Sequence, residues 1–336
     1  MANYLVTGGA GFIGSNIVEE LVVRRGLSTK SVEGVCPQSV VYSSKGTDPK
    51  VDTIRVLDNF STGSKENIEP FIEKIELIEG DIRDKNILSK ALQGIDFVLH
   101  QAALRSVAKS VEDPFETHDV NATGTLNLLA AAKEFGVKRI VYASTCAAYG
   151  DAKTFPQDET DEVAPISPYG ASKLAGEIYC RVFAKTLGLE TVSLRYFNVY
   201  GPRQNPESRY SSVVPGFIFD IMKNKTPIID WDGKQSRDFV FVKDVVQANI
   251  LAINAKNASG EVFNVGNGRA TTIYDILMRI EKVLGKNISP KFGSKREGDV
   301  RKVYSDISKA RRVLGFKPVF TLEIGLKLTV DWFKEK

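Results

Sequence analysis

Residues 3–14 read NYLVTGGAGFIG, and this stretch decides the fold. Its first five residues form a short apolar run of β type. Glycines follow at positions 8, 11 and 14, and FIGSNIVEELVVRR (12–25) then spaces apolar residues at helical intervals. The order is strand, tight turn, helix. Gly8, Gly11 and Gly14 permit the turn, a close approach of backbone to a pyrophosphate, and close packing of helix on strand; the helix N-terminus adds N–H donors and a partial positive charge. That context, rather than the glycines alone, makes the stretch a dinucleotide site.

Outward from it, β-type runs at 53–57, 75–78, 96–99, 139–143 and 190–194 alternate with helical stretches such as 121–135 and 170–187. Strands alternating with helices imply an α/β fold, a Rossmann-type doubly wound parallel sheet covered on both faces. A nucleotide-binding domain is expected over 1–195. After residue 195 the pattern loosens into YFNVYGPRQNPESRYSSVVP, which we read as the start of a smaller C-terminal α/β substrate-binding lobe over 196–336. Segments at about 238–266 are expected to return to the first domain. Between the first helix and the next strand, residues 27–51 are rich in Ser, Gly, Lys and Pro, where a turn of about 2–6 residues would suffice. This is expected to be a surface insertion without chemistry, the alternative being an interface or lid.

At 336 residues, with 43% hydrophobic and 26% charged residues, the chain can bury a full core. A net charge of +4, with basic residues scattered rather than gathered into runs, gives no reason to expect nucleic acid. Cys36, Cys146 and Cys180 have no C-x-x-C spacing and there are only two histidines, so no metal site is expected. No signal-peptide pattern opens the chain and no apolar stretch approaches the roughly 20 residues of a membrane span. A cytoplasmic protein with reduced thiols and no membrane partner is the expectation.

Asp58 closes the second strand in VLDNFSTG, where a carboxylate can accept hydrogen bonds from the adenosine ribose and would repel a 2′-phosphate; with no arginine adjoining it, NAD is favoured over NADP. Downstream, YGASK places Tyr169 and Lys173 four residues apart on one helical face. An ammonium beside a phenol is expected to lower a pKa that is ordinarily about 10, so that Tyr169 can exchange a proton with a sugar hydroxyl. Cys146 has no histidine partner nearby in sequence and is read as a packing residue.

These motifs, in order with EGDIRD (79–84), HQAA (100–103), NATGT (121–125), STCAAYG (144–150), RYFNVYGPRQ (195–204), SRDFVFVKDV (236–245) and REGDVRK (296–302), carry a resemblance nearly end to end. The chain resembles the extended short-chain dehydrogenase/reductase family, and within it the UDP-sugar 4-epimerases, especially the UDP-N-acetylglucosamine type. The resemblance implies that Thr145 orients the reacting hydroxyl, with Ser144 a weaker candidate, and that Lys173 bonds the nicotinamide ribose as well as tuning Tyr169. It implies cofactor contacts from Asp81 and Ile82 at adenine, from Ala102 and Ala103 as a small-residue wall, and from Phe12, Ile13, Asn59 and Tyr196. For a UDP-sugar it implies Asn198, Arg237 and Arg296 at the diphosphate, Asp299 at the uridine ribose, and Val213. A homodimer through helices at about 112–135 and 169–187 follows from the same likeness.

The family also holds dehydratases and decarboxylases, which resemble one another in carrying an acid after the Thr145 position. Here Cys146 and Ala147 follow, so epimerisation is expected. Hexose-restricted epimerases carry a tyrosine at the position of Val303, and the smaller side chain is expected to leave room for a 2-acetamido group. Uronate epimerases tend to carry a threonine at Asn198 and an arginine at Asn205. Arg105, where relatives often have a small residue, could meet a substrate carboxylate; the expectation is that it faces solvent.

Overall fold

The computed structural model describes residues 2–26, 51–206, 213–295 and 300–336. Apart from Val51, the expected insertion at 27–51 lies outside them, as do Arg296 and Asp299. The first half runs β1 (Ala2–Thr7), α1 (Phe12–Gly26), β2 (Val51–Asp58), β3 (Glu76–Glu79), α2 (Lys85–Leu92), β4 (Phe97–His100), α3 (Val107–Glu112), α4 (Pro114–His118), α5 (Gly124–Glu134), β5 (Arg139–Thr145), α6 (Pro168–Thr186) and β6 (Glu190–Tyr196). There follow β7 (Asn198–Tyr200), α7 (Val213–Met222), β8 (Ile228–Asp230), β9 (Ser236–Arg237), β10 (Phe239–Phe241), α8 (Val242–Asn254), β11 (Glu261–Val265), β12 (Thr271–Thr272), α9 (Ile273–Leu284), β13 (Lys291–Gly293), α10 (Ser308–Val313) and α11 (Leu322–Lys334).

Seven strands pair in the order β11-β6-β5-β4-β1-β2-β3, every pair parallel. Alternate residues of these strands feed two separate cores, as the period of a strand dictates. Tyr4, Val6, Val141, Val192 and Phe263 pack with Ile17 and Leu21 of α1 and Val245 of α8. Leu5, Leu57, Val98, Ile140 and Tyr142 pack on the opposite face with Leu88 and Leu92 of α2, Leu128 and Leu129 of α5 and Phe183 of α6. Each such apolar side chain, fully buried, contributes roughly 1.5–3 kcal/mol. The sheet is therefore a Rossmann-type doubly wound α/β sheet.

Strand order reverses between β1 and β4, and a cleft opens beyond the carboxyl ends of strands at such a point. A buried histidine fixes this junction. His100 at the end of β4 is bonded through Nδ1 to the Thr7 hydroxyl of β1 at 2.7 Å and through Nε2 to Thr125 of α5 at 3.0 Å. Burial brings its pKa down to about 3, so the ring is neutral and its role here is structural.

After β6 the chain builds a third core, in which Tyr200, Phe217, Phe239, Phe241, Ile276 and Leu326 join α7, α9 and α11. Twice it comes back. Helix α8 lies on α1, β5 and β6, and β11 adds an outer strand to β6, pairing Glu261 with Val192 through Val265 with Tyr196.

Candidate active site

The cleft holds about 1060 Å3 and is walled by the carboxyl ends of the sheet on one side and by α7, Ile228–Asp230 and Arg237 on the other. Gly8, at φ 67°, turns the chain out of β1, and its N–H donates to the Leu57 carbonyl at 2.8 Å. A Cβ on Gly8 would stand 2.6 Å from the Ala102 nitrogen, and one on Gly14 would stand 2.8 Å from Gly9 Cα. Backbone from β1, α1 and β4 thus meets at distances only glycine tolerates. Gly8, Gly11, Phe12, Ile13 and Gly14 all line the cleft, with Asp58, Asn59, Asp81, Ile82, Ala102, Ala103 and Tyr196.

The Asp58 carboxylate is held from two sides, accepting Ala10 N–H and Phe60 N–H at 2.8 Å each. Burial raises its pKa while these two donors pull it back. Each oxygen keeps a lone pair for a ribose hydroxyl. Next to it, Asn59 donates to Asp81 at 2.9 Å, and Arg83 holds the Asp81 carboxyl below the usual carboxylate range through bonds of 2.8 and 3.0 Å. A glycine cradle, a pinned acid and the apolar wall of Ile82, Ala102 and Ala103 fit a dinucleotide.

Tyr169 stands at the start of α6, whose first turn is set by Pro168 and by the N-cap Ser167, which accepts the Gly170 N–H at 3.1 Å. The Tyr169 N–H itself donates to Ser110 at 3.1 Å, tying the helix start to α3. Thr145 ends β5, accepts the Ala147 N–H at 3.1 Å, and lies close enough to the phenol that its hydroxyl lowers the Tyr169 pKa. The phenol differs from the sequence expectation. Burial raises its pKa, and what offsets this is the Thr145 hydroxyl and the charge of Arg105 rather than Lys173. Lys173 is itself buried, with Nζ 4.2 Å above the Tyr142 ring and its pKa brought down to about 7. Burial thus works against the ammonium that the Y-x-x-x-K spacing relies on.

One further residue departs from its expected place. Arg105 lines the cleft and interacts electrostatically with Tyr169; burial, not solvent, dominates its surroundings and lowers its pKa. Ser144 also borders the cleft, while its hydroxyl donates to Glu177 at 2.8 Å. Asn198, Val213 and Arg237 line the cleft too, and the Asn198 amide oxygen is buried without a partner. Val303 lies one layer back, 7% exposed and packed on Tyr149, Phe197 and Cys146, the last two of which face the cleft. Burial pushes the Cys146 thiol up to about 12, so it is no nucleophile near neutral pH. Cys146 and Cys180 are free, and among the described residues no group of His, Cys, Asp and Glu could hold a metal. No described helix is long and apolar enough to cross a membrane.

Against this geometry stand the comparisons. A protein of Methanocaldococcus jannaschii described as a putative UDP-glucose 4-epimerase is 40% identical over 332 residues, 98% of each chain. Among solved structures, the UDP-N-acetylglucosamine 4-epimerase of Methanobrevibacter ruminantium in complex with UDP-N-acetylmuramic acid superimposes with a TM-score of 0.88 at 36% identity, covering 99% of this chain and 98% of its own. The UDP-glucose 4-epimerase of Thermus thermophilus in complex with NAD gives 0.84 at 36%, covering 99% of both. The sequence pattern of the NAD dependent epimerase/dehydratase family matches residues 4–266, most of the length, and takes in the glycine turn, Asp58, Thr145, Tyr169 and Lys173. The chain belongs to the NAD dependent epimerase/dehydratase family.

Proposed function

We propose that the protein is a cytoplasmic UDP-sugar 4-epimerase that retains NAD and interconverts UDP-GlcNAc and UDP-GalNAc, with UDP-Glc and UDP-Gal as further substrates. One observation carries this reading: on the cleft wall Thr145 is followed by Cys146 and Ala147, so the two positions next to it hold no acid to drive elimination or decarboxylation. NAD held in the cradle of Gly8, Gly11 and Gly14 beside Asp58 would supply the hydride chemistry at sugar carbon 4. The protein's part is the proton. As phenolate, the form that the Arg105 charge and the Thr145 hydroxyl favour, Tyr169 takes it from the 4-hydroxyl, and as phenol returns it to the same oxygen after the 4-keto sugar has turned over. Asn198 and Arg237 are assigned to the diphosphate, where charge-assisted contacts belong, with Arg296 beside them there and Asp299 at the uridine ribose.

Support for the N-acetyl substrate comes from the wall behind Cys146 and Phe197. Val303 is the small member of the apolar cluster that backs this wall, and a tyrosine there would overfill it. A second reading, a sugar bearing a carboxylate, is favoured by Arg105, whose charge reaches the place where carbon 4 must react. Incubation of the purified protein with UDP-GlcNAc, UDP-Glc and UDP-GlcA in turn, without added cofactor, followed by chromatography, tests both. UDP-GalNAc is the expected product, and Val303→Tyr should abolish it while sparing the hexose pair. UDP-GalA as the main product, lost in Arg105→Met, would replace the first reading with the second.

We also propose a homodimer. α6 carries a second apolar stripe on its outer side, Ile178, Tyr179 and Val182, and α3 and α4 beside it expose Val111 and Phe115. The helices at 112–135 and 169–187 would form the contact.

A further inference from the structure

Behind the catalytic strand lies a charged pair that the chemistry above does not use. Glu177 and Arg195 are each 2% exposed. Arg195 donates to Glu177 through Nη2 at 2.6 Å and Nε at 3.0 Å, and its guanidinium carbon stands 4.6 Å above the Tyr149 ring. The remaining Glu177 contact is Ser144, at 2.8 Å. Removing two charges from water costs several kcal/mol per ion, and an apolar pair of similar volume often does as well for stability. The arrangement is not even complete, since Arg195 Nη1 is buried without a hydrogen-bond partner.

What the pair does supply is direction. Ser144 and Arg195 are register partners on β5 and β6, and Glu177 reaches both from α6, two turns beyond Tyr169. Two more ties join the same strand and helix: the Tyr142 hydroxyl donates to the Lys173 carbonyl at 3.1 Å, and a Cβ on Gly176 would fall 2.7 Å from Tyr142 Cζ. Together they fix how far α6 can slide or roll over the end of β5. The residue that follows Ser144 is Thr145.

We propose that Ser144, Glu177 and Arg195 are positioning residues that hold the Thr145 hydroxyl against the Tyr169 phenol by clamping the end of β5 to α6. This rests on the reading of Tyr169 as the proton acceptor. Ser144→Ala tests it without uncovering a charge, because Glu177 keeps both bonds to Arg195. In the NAD-loaded protein we expect kcat to fall about tenfold at unchanged KM, NAD content and melting temperature. The Tyr169 phenol, followed by ultraviolet difference titration against the Tyr169→Phe variant, should ionise at higher pH than in the wild type, and the limb of the rate profile that rises with pH should move with it. An unaltered kcat and titration would overturn the clamp. So would a loss of kcat that tracks lost NAD or lost melting temperature while the titration stays where the wild type has it. Failure of the wild type to turn over any UDP-sugar would instead strike the epimerase reading, and the titration still tests the clamp in such a protein.

Discussion

Consider Gly14→Ala. The added Cβ would lie 2.8 Å from both the Gly8 carbonyl carbon and Gly9 Cα, and closer still to the Gly8 oxygen. Ordinary contact begins near 3.4 Å, and since every obstructing atom is backbone, no rotamer change relieves the overlap. The start of α1 must move from the turn by about 1 Å, a displacement that can cost on the order of 100-fold in a positioned site. The N–H groups meant for the pyrophosphate sit on that moving piece. We therefore expect the variant to purify with little NAD and to show turnover that only added cofactor restores, at a raised KM for NAD. Gly26→Ala is the matched control at the far end of the same helix, where a Cβ meets nothing within 4 Å. It should leave NAD content unchanged and gain up to roughly 1 kcal/mol of stability. NAD released by acid and assayed against protein concentration measures both. A Gly14→Ala protein with full NAD content and normal turnover would refute the packing argument.

Tyr169→Phe removes the proton acceptor but keeps the ring, so kcat should fall by roughly 100- to 10,000-fold while NAD stays bound; product analysis and NAD release check the two halves. Burial brings Lys173 down to about 7 from 10.5. Between these values the unfolded chain binds more protons than the folded one, so this group makes stability rise with pH from about 7 towards 10.5. Lys173→Met should remove that part of the slope, as urea midpoints at pH 7 and pH 10 would show for the cofactor-free protein. Phe115, 85% exposed, should tolerate Asp in a monomer but shift a dimer towards half its mass in sedimentation, with secondary structure intact.

Much of the first half was readable because its strands are long enough to show a pattern and are separated by helices of ordinary length. β5 and β6 run seven residues each, almost wholly buried. The substrate side gave only a loosening, and the reason is visible in β8, β9 and β12, which are two or three residues long and too short for any period to register. Tyr169, Lys173 and the glycines could be named because their chemistry depends on local spacing. Arg105 could not be placed in that way: its loop is held by Asn121, which bonds the Leu104 N–H and carbonyl at 2.8 Å each from 17 residues away. The raised pKa of Tyr169 was likewise out of reach, because burial is a property of the assembled site. Ser144 was closer to legible. It shares strand parity with Ile140 and Tyr142, which lie under α6, and that alternation alone turns its hydroxyl towards α6, where Glu177 accepts it.

One of the two edge strands of the seven-stranded sheet is contributed by residues 261–265, some 65 positions after β6. A ribosome making this chain therefore completes β6 long before its neighbour exists. In the interval the nascent sheet ends in a buried-type strand with a free row of backbone donors and acceptors, the kind of edge that pairs with whatever strand it meets. A fragment cut near residue 195 would carry the same liability permanently. The second lobe's excursion is thus also a delay line, and chaperone dependence of expression should drop sharply once a truncation series extends past Val265.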